Sequence, residues 1–116
     1  MMPLRTLQKP WQFQRVYRHG KKIDCKFAVL FYYRTGDGCG PQFGFVASKR
    51  LGGAVKRNRA KRLLREVAGR AVDRLEHQDL WVVLVARSEI NHTKGQAMLA
   101  EIDEELEGLA KGEARA

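Results

Sequence analysis

SKRLGGAVKRNRAKRLLR, residues 48–65, carries positive charge at a density found nowhere else in the chain. From Lys49 to Arg65 there are eight Lys or Arg and no Asp or Glu, leaving 14 basic residues elsewhere against 13 acidic ones, for a net charge of +9. The charge is therefore a patch. Threaded through it and beyond it, Ala60, Leu63, Leu64, Val67, Ala68, Ala71, Val72 and Leu75 recur at spacings of three and four, the period of an α-helix. At about 100° per residue these side chains cover one face. Asn58, Arg62 and Arg65 project from the other, with Arg59 and Lys61 on its flanks. Gly52 and Gly53 interrupt the chain just before, where the first-turn N–H groups have no partner inside the helix and suit phosphate oxygens.

Eight cations without a countercharge repel one another, and a polyanion that relieves the repulsion explains them better than a merely solvated face. Arg predominates within the helix, which suits bidentate phosphate contacts and stacking on bases. A second basic region precedes it: residues 1–22 hold six Lys or Arg and no acid. Pro10 suits a helix start and Gly20 its stop. Within that helix Phe13, Val16 and Tyr17 form an i, i+3, i+4 stripe expected to pack on a core.

GFVASKRLGGAVKRNRAKRLLREV, residues 44–67, resembles the signature of the bacterial ribonuclease P protein subunit, with its Ser-Lys, glycine, Ala-Val and Arg-Asn-Arg followed by spaced Lys and Arg. The resemblance extends to QFQRVYRHGKK before it and DLWVVLVAR after it. It implies an α+β fold, an α-β-β-β-α-β-α sandwich with a left-handed βαβ crossover of the ribosomal-protein type. Strand-helix-strand physics alone favours the right-handed connection. The resemblance also implies a protein that assists a catalytic RNA in removing the 5′ leader of precursor tRNA and breaks no bond itself. Lys49, Arg50, Lys56, Arg57, Asn58, Arg59, Lys61, Arg62 and Arg65 would grip RNA, and Phe13, Tyr17 and Arg18 would contact the leader. No side chain is expected to be catalytic or to ligate metal, and Mg²⁺ is expected at the RNA's own phosphates.

The remaining chain is expected to build one domain over residues 1–116, with a short tail (1–8) and a frayed C-terminus (110–116). IDCKFAVLFYYR, residues 23–34, and residues 42–48 read as the arms of a β-hairpin about the loose turn TGDGCGP. Along the first arm Phe27, Val29 and Phe31 face one way and Ala28, Leu30 and Tyr32 the other. The glycines of the turn precede Pro41 and a strand, so they do not form a phosphate loop. Leu80 to Ala86 is apolar throughout, as in a central strand covered on both sides. Thr93 to Leu109 reads as an acidic amphipathic helix with Leu99, Ile102, Leu106 and Leu109 on its apolar face. Its Glu residues either point away from RNA or lean on nearby cations.

Cys25 and Cys39 make no disulfide framework and read as reduced and structural; with three scattered histidines they show no zinc spacing. MMPLRTLQKPWQF lacks an apolar signal-peptide centre, which places the chain in the cytoplasm. Two other functions compete. An autonomous metal-dependent nuclease needs gathered carboxylates, whereas Asp24, Asp37, Glu66 and Asp79 are isolated in sequence. A ribosomal or RNA-chaperone protein shares the electrostatics and differs only in its partner.

Overall fold

The computed structural model describes residues 3–92 and 96–111, with side chains described for 3–92 and 100–111. Helix α1 spans Pro10–His19, strands β1, β2 and β3 span Lys21–Asp24, Ala28–Arg34 and Gln42–Val46, and helix α2 spans Ala54–Ala71. Strand β4, Leu80–Ala86, and helix α3, Gln96–Ala110, complete the expected α-β-β-β-α-β-α order. Pro10 opens α1, and the Gln12 side chain caps it by accepting from the Gln8 and Lys9 N–H groups at 3.0 and 2.9 Å.

The strands form one sheet in the order β1-β2-β4-β3. β2 and β4 are antiparallel, β3 and β4 are parallel, and α2 is the crossover between the parallel pair. The expected hairpin between residues 23–34 and 42–48 does not form. Its first arm is itself the hairpin, β1 folding back on β2 with Ile23 opposite Leu30, while β4 inserts between β2 and β3. The reason is burial: β4 is apolar on both faces and takes the centre, where both faces are covered. Asp79, just before β4, holds the wide 35–41 loop open. Its backbone carbonyl accepts from Thr35 N–H at 2.9 Å and its carboxylate from Gly40 N–H at 3.0 Å. Gly36, Gly38 and Gly40 take φ of 64°, 75° and 74° there, a left-handed region that glycine enters at little cost.

One face of the sheet (Ala28, Leu30, Tyr32, Phe43, Leu80, Val82, Leu84, Ala86) packs on Leu64, Val67, Ala68 and Ala71 of α2 and on Ile102, Leu106 and Leu109 of α3. The other (Trp81, Val83, with Phe31, Tyr33, Val46 and Val85) packs on Leu7 and α1, where Val16 is fully buried. Phe27 departs from the expected alternation: it precedes β2 in the turn and joins the α2/α3 core with Ala28. Glu101 of α3 ties down that turn, accepting from the N–H groups of Lys26 and Phe27 at 2.8 and 3.1 Å. The acidic helix also leans on a cation, Arg74 pairing with Asp103 and Glu107. The side chain of Leu99 and residues 1–2, 93–95 and 112–116 lie outside what is described.

The segment expected as an N-terminal tail runs along the free edge of β3. Leu7 N–H donates to the Phe43 carbonyl at 2.8 Å, Phe43 N–H to that of Arg5 at 2.9 Å, and Leu7 is buried. Residues 5–7 thereby shield an edge that would otherwise offer unpaired backbone groups.

Both cysteines are free, Cys25 buried and Cys39 on the surface of the 35–41 loop. Burial, and then the charges of Glu101, Glu105 and Asp24, push the Cys25 thiol up from 9.0 to about 11. Above pH 9 the unfolded chain releases this proton while the folded chain retains it, so stability falls as pH rises from about 9 to about 11. Denaturant midpoints measured across that range should decline more steeply for the natural chain than for Cys25→Ala.

Candidate nucleic-acid interface

Helix α2 presents its cations as the periodicity requires. Ala60, Leu64, Val67, Ala68 and Ala71 are buried beneath it, while Lys56, Asn58, Lys61, Arg62 and Arg65 are exposed. Lys49 and Arg50 are exposed on the short 3-10 turn Lys49–Leu51 that leads into it. Among the described residues none of Lys49, Arg50, Lys56, Lys61, Arg62 or Arg65 forms an ion pair with a carboxylate. Gly53 at the N-cap supplies no side-chain cap, so no side chain competes for the first-turn N–H groups.

Two arginines depart from the outward picture. Arg59 is half-buried and donates to the Ile90 carbonyl at 3.1 Å, bracing the segment after β4. Arg57 is also half-buried, and its Nε is enclosed without a hydrogen-bond partner. The exposed group is thus centred further along the helix, where Asn58, Lys61, Arg62 and Arg65 line a shallow hollow of ≈ 330 Å³.

Lys61 and Arg65 also reach a second hollow, of ≈ 160 Å³, shared with Gln8, Phe13, Gly44 and Phe45. The Arg65 guanidinium lies 5.6 Å from the centre of the Phe45 ring, a cation–π contact that holds its charge at the rim. Gly44 is what lets α1 come this close: a Cβ there would fall 2.4 Å from Phe13 Cε1. Phe13 is therefore half-buried on β3 with one side in the groove. Further along α1, Tyr17 is 39% exposed and meets Phe31 of β2 edge-on at 5.0 Å. Partial burial raises the Tyr17 pKa above its ordinary value.

Phe13 and Tyr17 share one flank of α1 and make an aromatic strip with Phe31 that ends at the cations of α2. Arg18 is not brought into it. It lies about 200° around the helix from buried Val16 and leaves on the solvent side. Phe31 and Phe45 were not singled out in the sequence as site residues, because alternating aromatic positions in a strand carry no sign of which one stays at a surface.

Residues 1–110 match the family model described as Ribonuclease P. The chain belongs to this family. The ribonuclease P protein component of Caldanaerobacter subterraneus subsp. tengcongensis is 36% identical over 93% of this chain and 88% of its own length. That of Natranaerobius thermophilus is 43% identical over a shorter stretch, 58% of this chain and 57% of the relative. The chain superposes on a ribonuclease P protein of Staphylococcus aureus with TM-score 0.79 at 24% identity, covering 91% of this chain and 87% of that one. For the Thermotoga maritima ribonuclease P protein the TM-score is 0.77 at 19% identity, covering 88% and 94%. These structural likenesses bear on the fold.

Proposed function

We propose that this ribonuclease P protein binds the catalytic RNA through the exposed face of α2 and holds the 5′ leader of precursor tRNA in the groove between α1 and β3. The observation that carries this reading is the exposed cationic face of α2, where Lys56, Lys61, Arg62 and Arg65 form no ion pair with a carboxylate among the described residues and Lys61 and Arg65 also edge an aromatic groove. Charge placed between two RNAs offsets their repulsion, so the protein lowers the Mg²⁺ needed for cleavage. The groove favours precursor over product, because only the precursor has unpaired nucleotides to stack. Hydrolysis and its Mg²⁺ belong on this reading to the RNA.

The carboxylates an autonomous nuclease would need are dispersed and engaged elsewhere. Asp24 pairs with Arg87, Glu66 with Arg70, Asp37 accepts from Cys39 N–H and Asp79 from Gly40 N–H. Among the described residues no three His, Cys, Asp or Glu come together in a way that could hold a metal.

Cleavage of precursor tRNA at low Mg²⁺ by protein alone, catalytic RNA alone and the mixture tests the proposal. Activity restored only in the mixture is expected, and cleavage by the protein alone would overturn it in favour of the nuclease. Phe13→Ala and Tyr17→Ala should each lose affinity for precursor, by about 1–3 kcal/mol if one stacked base is lost, while retaining grip on the catalytic RNA.

A further inference from the structure

The flank of α1 opposite Phe13 and Tyr17 carries a second set of aromatic groups. Trp11 is 54% exposed, in contrast to Trp81, which is 8% exposed. Its ring meets Trp81 at 5.6 Å and 65°, and Trp81 meets Tyr33 at 6.0 Å. One turn on, the Arg15 guanidinium lies 5.7 Å from the centre of the Trp11 ring. The indole N–H of buried Trp81 has no acceptor. A tryptophan left this open, packed against Trp81 in a T-shaped contact and with an arginine over its ring, has the features of a platform for an unpaired base: accessible aromatic surface and an adjacent cation. Residues 1–22 contain no acid that would repel the accompanying phosphate.

We infer that Trp11 stacks an unpaired base of the same leader, farther from the cleavage point than those held by Phe13 and Tyr17. The position follows from the fold. The Phe13 groove opens beside Lys61 and Arg65 of α2, whereas α2 packs on the other face of the sheet from Trp81, so RNA gripped by α2 does not reach this flank. A strand leaving the groove reaches Trp11 by passing over α1, where Arg15, one turn beyond Trp11, holds its charge against the same ring. This subsite rests on the leader-binding reading above and extends it to a longer single strand.

The test uses the reconstituted holoenzyme with precursor tRNAs bearing either a short or a long unstructured leader, mature tRNA, and the catalytic RNA alone. Trp11→Ala should weaken the long-leader precursor by about 5- to 150-fold and leave the other three unchanged. Trp11→Phe should restore most of that affinity while abolishing the tryptophan quench that the long leader produces in the natural chain. Equal loss with short and long leaders, loss toward the catalytic RNA alone, or no loss at all would overturn the inference. Phe13→Ala run in parallel separates the two readings. If it is silent while Trp11→Ala is not, the groove assignment fails and the Trp11 site stands. If both are silent, both fail. Thermal unfolding of Trp11→Ala close to that of the natural chain excludes loss of packing as the cause.

Discussion

Replacing Lys61 and Arg62 together by alanine is expected to flatten the salt dependence of binding to the catalytic RNA, the log-log slope falling by roughly 1.4–1.8 units for two lost phosphate contacts. Both side chains are exposed on α2 and neither is engaged by a carboxylate among the described residues, so the change removes charge without removing packing. This pair is cleaner than one including Arg59, whose bond to the Ile90 carbonyl makes its loss a structural change as well. Affinity measured over a range of salt concentrations, with circular dichroism to verify the fold, decides the matter. An unchanged slope would mean that RNA approaches some other surface.

Leu64→Ala, two residues on and facing the opposite way, is expected to destabilise the domain by about 2–5 kcal/mol. Leu64 is fully buried between α2 and the sheet, and truncating it leaves a space that surrounding groups cannot close. Domains of this size commonly have only about 5–15 kcal/mol in hand, so the loss should be visible as a large drop in denaturant midpoint. Where the variant remains folded, its salt slope should match that of the natural chain. The two substitutions thus separate the faces of one helix: one changes RNA affinity at constant stability, the other stability at constant slope. Comparable effects of both on both quantities would show that the faces are not independent.

Helix α2 was readable because two local patterns coincide in it. Apolar residues at helical spacing and cations filling the gaps between them assign a buried and an exposed face without reference to any other part of the chain. The central place of β4 was readable for a similar reason, since seven apolar residues in succession leave no polar face to turn toward water. The pairing of the strands was not. β2 and β3 are neighbours in sequence across a glycine-rich turn, and nothing local announces that Asp79 and β4 will come between them. The cover supplied by residues 5–7 was hidden likewise, because three extended residues become an edge only where a strand such as β3 accepts them.

The candidate site divides along the same line. That Lys61, Arg62 and Arg65 form an outward cationic row follows from their spacing alone, as does the apolar stripe of α1. That Arg65 stands over Phe45, that Phe13 closes on Gly44 and that Arg59 turns to Ile90 depend on the register of β3 and on where the chain returns after β4. Periodicity determines which side of an element faces the core, because burial is decided over a few residues. Only the packed sheet decides which two elements share a groove, because that depends on contacts between residues far apart in the chain.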